Sequence, residues 1–173
     1  DKNQPKYLNS PESEIYNKRK ILYGFYFAKT AIRKADECIV VEGYTDVLTL
    51  FQGGVENVVA SSGTSFTVDQ IRLIKRFTDN IKIIYDGDPA GIKAALRGLD
   101  LVLAENMDVR LVLVPKDEDP DSFFKKSGQD AFTKYLDENA KDFIDFKTTL
   151  LLAEAGNDPI KRSHVLRDIV SSI

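Results

Sequence analysis

The chain has 173 residues, 43% of them apolar and 29% charged, with a net charge of −3. That is enough for one ordinary core, and no apolar run approaches the roughly 20 residues that cross a bilayer. Cys38 is the single cysteine, which excludes an internal disulfide and a cysteine-rich zinc site and leads us to expect a reducing, cytoplasmic setting without membrane association. The charge is uneven: residues 1–34 hold eight Lys/Arg against three Asp/Glu, and the remainder holds 16 against 24. A basic start joined to an acidic body suits a protein that holds phosphates beside divalent metals, although solvated surface charge would look the same.

Residues 1–14 are polar, contain two prolines and read as a connecting segment. Ile21, Leu22, Phe25, Ala28 and Ile32 then recur at helical spacing, which predicts a helix over 15–34. Cys38-Ile39-Val40-Val41 predicts a buried strand. A helix is expected from about Asp46 to Gln52, stopped by Gly53-Gly54, and a second strand from Val55 to Ser61. Thr67-Val68-Asp69-Gln70 is a capping-box signature, and Ile71, Ile74 and Phe77 supply the buried face of the helix it opens. Ile81–Tyr85 predicts a third strand, Pro89–Glu105 a long amphipathic helix, and Val109–Val114 a fourth strand. After Pro115 the pattern predicts only short helices, broken near Ser127-Gly128 and again at Gly156-Asn157-Asp158-Pro159.

Strands alternating with helices imply a mostly parallel, four-stranded sheet flanked by helices, followed here by a small helical subdomain. We expect three regions: a basic connecting segment with a leading helix (1–34), the α/β domain (35–127) and the start of a helical subdomain (128–173). Active groups in such a sheet lie beyond the carboxyl ends of the strands. Three acidic clusters sit there: Glu42-Gly43-Tyr44-Thr45-Asp46, Asp86-Gly87-Asp88-Pro89-Ala90-Gly91, and Asp117-Glu118-Asp119-Pro120-Asp121. Converging carboxylates repel one another unless a hard cation sits among them. Taken alone, Asp88 and Asp119 are better explained as helix caps, each preceding a proline at the first helical position, and Asp46 as a partner of a helix dipole; three clusters at strand ends together favour the ligand reading. Glu42 is harder to explain as a cap, because it ends an apolar strand and precedes a glycine.

These residues resemble a known family. Glu42-Gly43 resembles the motif that opens a Toprim domain, and Asp86-Gly87-Asp88-Pro89-Ala90-Gly91 its Asp-x-Asp-x-x-Gly motif. Pro5-Lys6-Tyr7-Leu8-Asn9-Ser10-Pro11-Glu12, Tyr16-Asn17-Lys18, Leu22-Tyr23-Gly24, Ala60-Ser61-Ser62-Gly63-Thr64 and Glu118-Asp119-Pro120-Asp121 are similar to segments of bacterial DnaG-type primases. The resemblance implies Glu42, Asp86 and Asp88 as the catalytic, metal-holding carboxylates, with Asp46, Asp119 and Asp121 as further metal positions. It implies Lys6 and Lys18 as contacts to template or nucleotide phosphates. Two or more Mg²⁺ or Mn²⁺ ions, a single-stranded DNA template, nucleoside triphosphates and an RNA primer follow from it. A replicative helicase follows too, reached through a domain absent from this chain. By the same comparison the chain is expected to be a core fragment, lacking a zinc-binding domain and much of the basic template groove. The alternatives are another Toprim enzyme, such as a nuclease or topoisomerase piece, and a Toprim module that only binds DNA. A phosphatase with an aspartate nucleophile is disfavoured, since its Asp-x-Asp pair would follow an early strand.

Smaller features read more plainly. Ser62-Gly63-Thr64 suits a strand-to-helix turn more than a backbone contact to phosphate, Cys38 a small buried hydrophobe, His164 an ordinary helical residue, and Tyr44 either packing or a nucleotide contact at the site edge.

Overall fold

The computed structural model describes residues 10–14, 16–61, 66–86, 98–116, 118–146 and 148. In chain order these form α1 (Phe25–Ala35), β1 (Cys38–Val41), α2 (Tyr44–Gln52), β2 (Val58–Ala60), α3 (Val68–Lys75) and β3 (Asn80–Tyr85). There follow α4 (98–104), β4 (Asp108–Leu113), α5 (Pro120–Ser127), α6 (Gln129–Asn139), β5 (Lys141–Asp142) and a helical stretch, α7, described over 143–146 and at 148.

The sheet runs in the order β2-β1-β3-β4-β5. The four predicted strands are all parallel, with Val40 opposite both Val59 and Ile83, and Ile83 opposite Leu111. Alternation along β1 builds two cores. Cys38 and Val40 join α1, α3 and α4 through Ala28, Ile32, Ile71, Ile74, Leu99 and Val102. Ile39 and Val41 face the other way, onto Val47 and Leu50 of α2, Phe124 of α5, and Phe132 and Leu136 of α6. A strand buried on both faces reads as an unbroken apolar run, which is why the sequence revealed β1 so clearly.

The structure departs from the sequence reading in three places. The leading helix begins at Phe25, ten residues later than the periodicity suggests. Asn17 closes a turn, its side chain accepting from the N–H of Arg19 at 3.0 Å. Gly24 then holds φ +80°, where a Cβ would meet Val47 at 2.9 Å. Between these, Tyr23 pairs antiparallel with Ala60, its N–H donating to the Ala60 carbonyl at 2.9 Å. The edge of β2 offers backbone groups that need partners, and that demand outweighs local helical spacing. Second, β2 is shorter than Val55–Ser61, because the N–H of Val55 bonds back to Leu50 in the turn that ends α2. Third, the strands do not stop after Pro115: β5 pairs antiparallel with β4, Arg110 opposite Asp142. Two exposed polar residues carry no alternation from which to read a strand. The helix predicted over Pro89–Glu105 is described only from residue 98, and the 156–159 break and His164 lie outside the described residues.

Candidate active site at the carboxyl ends of the strands

β1 connects leftward to β2 and β3 returns to the other side of β1, so the direction of winding reverses between β1 and β3. The helices that follow leave for opposite faces: α2 packs on one core and α4 on the other. Beyond the ends of these two neighbouring strands is the usual place for a ligand in such a sheet. Glu42 is the first residue past β1 and Asp86 the first past β3. Glu42 is exposed and Asp86 half-buried.

Asp46 stands one helical turn from Glu42. Gly43, in extended backbone at the N-cap of α2, donates its N–H to Asp46 Oδ2 at 3.0 Å. The N–H of Asp121, on α5, donates to Asp46 Oδ1 at 3.2 Å. Only 6% of Asp46 is exposed. Burial pushes its carboxyl up to about 6; the two N–H donors oppose this, and the negative charges of Asp119 and Asp86 reinforce it. A buried carboxylate within reach of two others is an electrostatic debt that a cation relieves.

Asp119 caps α5, accepting from Ser122 N–H at 2.7 Å, so its helix-cap reading holds structurally. Asp121 accepts from the Thr49 hydroxyl on α2 and pairs with Lys125 at 2.8 Å. The structure thus brings Asp46, Asp86, Asp119 and Asp121 to one rim with Glu42. Among the described residues no three carboxyl, imidazole or thiol groups come close enough to hold one ion together. Asp88, Asp117, Lys6 and Ser62-Gly63-Thr64 lie outside the described residues.

Lys18 is half-buried in the turn after Tyr16. Its N–H donates to Glu12 at 3.2 Å, and its carbonyl accepts from Gln70 Nε2 at 3.0 Å. Gln70 is fully buried and also reaches the Ile21 carbonyl at 2.8 Å. This glutamine fixes the Lys18 turn against α3, a role that the capping-box pattern did not disclose. A tyrosine cluster was also missed. Tyr44 packs edge-on against Tyr23 at 4.7 Å and hydrogen-bonds Tyr16, whose phenol is raised by burial and by its Tyr44 neighbour. Packing thus accounts for Tyr44 in this structure.

A cleft of 730 Å³ lies at the opposite, amino ends of the strands, lined by Glu37, Lys82, Arg110 and Asp137 among others. Lys82 is buried there and its ammonium is already committed, to Glu37 at 3.1 Å and Asp137 at 3.2 Å.

Comparison with known proteins agrees with this geometry. Residues 39–124 match a family model described as Toprim-like, and residues 1–29 one described as the N-terminal domain of the DNA primase catalytic core. A DNA primase of Clostridium acetobutylicum is 46% identical over 148 residues, covering 85% of this chain and 24% of that protein. A DNA primase domain from Pseudomonas aeruginosa superposes with a TM-score of 0.87 at 36% identity, covering all of this chain and 56% of that one. The chain belongs to the DnaG-type primase family. A solved DnaG primase catalytic domain bound to single-stranded DNA matches with a TM-score of 0.86 at 36% identity, over 99% of this chain and 57% of that one. The chain therefore spans about a quarter of that curated primase relative and a little over half of these solved primase chains. Among the described residues no helix is long and apolar enough to cross a membrane.

Proposed function

We propose that this primase segment is the metal-binding part of a catalytic core that synthesises short RNA primers on single-stranded DNA, by joining a 3′-hydroxyl to the α-phosphorus of a nucleoside triphosphate. One observation carries the reading: Glu42 and Asp86 leave adjacent parallel strands at the reversal of winding, with buried Asp46 beside them. The single-stranded DNA bound by a structural relative supports the polymer class.

The donors at this rim are carboxylate oxygens, the set that hard Mg²⁺ or Mn²⁺ prefers; Asp46, raised mainly by its burial, also feels the negative charges of Asp119 and Asp86. Glu42, Asp86 and Asp88 would hold one ion; Asp46, Asp119 and Asp121, which do not close on one point by themselves, would add single carboxylates to ions completed by phosphate oxygens and water. Bound there, such ions would supply neutralisation of phosphate charge and would lower the pKa of the attacking hydroxyl. The chain's own part is positional and acid–base. Exposed Glu42 accepts the hydroxyl proton as the new O–P bond forms and pyrophosphate departs. The Gly43 and Asp121 N–H groups hold Asp46 in place, and the Lys125 pair and Thr49 hydroxyl hold Asp121. Lys6 and Lys18 meet template or nucleotide phosphates. The working protein is cytoplasmic and meets the replicative helicase through segments beyond this chain.

The test is to replace Glu42, Asp86 or Asp88 by its amide in a full-length primase carrying this sequence. Each change removes Mg²⁺- or Mn²⁺-dependent primer synthesis by at least about a hundredfold while circular dichroism and thermal melting are kept. Primer synthesis persisting in the Asp86→Asn variant would sink the assignment.

A further inference from the structure

The outer surface of α1 is unlike the rest of the fold. Its buried face is Ala28 and Ile32, but Tyr26 and Phe27 point outward, 72% and 71% exposed. Water around two adjacent aromatic rings is costly, and isolated exposure of both on one helix turn calls for an occupant. Their rings meet edge to face at 5.4 Å, and Phe27 continues to Phe51 of α2 at 6.5 Å.

The charge of this segment is of one sign, with Glu56 across the groove as the acidic neighbour. Residues 15–35 contain six Lys/Arg and no Asp or Glu, in a chain whose remainder is acidic. Helical spacing places cations on the same stripes as the rings. Tyr26, Lys29 and Arg33 follow one line; the Lys29 ammonium sits over the Tyr26 ring at 4.3 Å, while the Arg33 guanidinium at the far end lies over the Phe77 ring at 4.6 Å. Phe27 and Lys34 follow the other, and both line the groove toward the α2–β2 turn. Each stripe begins with an aromatic face and ends with a cation, spread over about 12 Å of helix.

Position adds a third argument. Tyr23 bridges Ala60 at the carboxyl end of β2 and packs on Tyr44, two residues from Glu42. α1 starts two residues after Tyr23, so its first turn, with Tyr26 and Phe27, lies close in the chain to the residue that packs beside the carboxylate rim. Unpaired bases stack on aromatic rings without regard to sequence while phosphates track nearby cations. We propose that α1 is a stacking platform for single-stranded DNA, with Tyr26 and Phe27 taking bases and Lys29, Arg33 and Lys34 the backbone. The platform shares its polymer with the primase reading but none of its carboxylates, so each can fail alone.

The experiment uses the 173-residue chain and a fluorescein-labelled oligothymidylate. The chain has no tryptophan, so Phe27→Trp introduces a single reporter beside the proposed bases. The expected result is quenching of that tryptophan on adding the oligonucleotide, with no quenching by the same oligomer as a duplex. Anisotropy should show Tyr26→Ala/Phe27→Ala weakening binding on the order of tenfold, with Tyr26→Trp/Phe27→Trp restoring it. Lys29→Gln/Arg33→Gln/Lys34→Gln should flatten the slope of log affinity against log salt by about two. In a full-length primase carrying this sequence, the Ala pair should likewise weaken oligothymidylate binding. Asp86→Asn should leave every one of these readouts unchanged, which separates the platform from the reaction centre. Three results overturn the proposal: tryptophan emission that ignores the oligonucleotide, emission that follows protein concentration instead (a contact between copies), or unchanged affinity of the full-length Ala pair.

Discussion

Asp46 shows what a single residue contributes. As a mark in the sequence it is one acid near a helix start, more readily a dipole partner than a ligand. In the fold it is buried, held by two backbone N–H groups and crowded by Asp119 and Asp86. Its carboxyl titrates near 6 in the folded chain against an ordinary value of 3.8. Between those two values the folded state binds more protons than the unfolded one, so this group's contribution to stability is complete below about pH 4 and lost as pH rises through 6. In divalent-free buffer, the stability of wild type relative to Asp46→Asn should therefore fall across that window, by at most about 3 kcal/mol. Urea midpoints at several pH values measure it, and a difference that is flat or rises with pH would contradict the burial argument. Cys38 meets its expectation more simply: it is fully buried, and burial pushes its thiol far above the usual range, which makes it inert.

Among the elements, the pairing of α2 with α5 decides whether the rim exists. Asp46 is on one and Asp121 on the other, and Thr49 of α2 donates to Asp121. Their close approach depends on Gly53, where an added Cβ would meet the Phe124 ring at 2.1 Å. The sequence marks Gly53-Gly54 only as a helix stop; the packing shows that Gly53 also seats Phe124. Gly53→Ala should cost about 1–3 kcal/mol and loosen metal affinity at the Asp46 side, read by chemical unfolding and by Mn²⁺ titration. An alanine variant as stable as the parent would mean that Phe124 moves aside freely. Elements with strong periodicity, β1, β3, β4 and α3, were legible because one chain segment carries the whole signal. The start of α1 was not, since Tyr23 chose the β2 edge over the helix.

At the scale of the whole molecule, the two ends of the sheet do different work. The carboxyl ends gather acids at one rim. The amino ends are closed by Lys82, which ties the residue before β1, through Glu37, and the end of α6, through Asp137, to the central strand β3. Lys82 stands among Ile81, Ile83 and Ile84 in β3, with no local pattern to mark it as a clamp. Its ammonium is buried while Asp137 is largely exposed, so the pair is a clamp of modest strength whose apolar stem also packs. Lys82→Ala should lower stability by about 2 kcal/mol, and Lys82→Met, which keeps the stem, by less than about 1 kcal/mol. Thermal melting of both variants decides it: equal losses would show that the ion pairs, rather than the packing, hold α6 down.

The amino-acid sequence by itself determined the α/β alternation, the four parallel strands and the chemical type of the rim, because apolar period and acidic clusters are local properties of the chain. Tertiary structure alone decided that β1 and β3 are neighbours at the reversal of winding, that Asp46 is buried against α5, that Gln70 holds the Lys18 turn, and that β5 exists. Each of these joins residues distant in sequence, and their energies arise from burial and backbone pairing that no single segment carries.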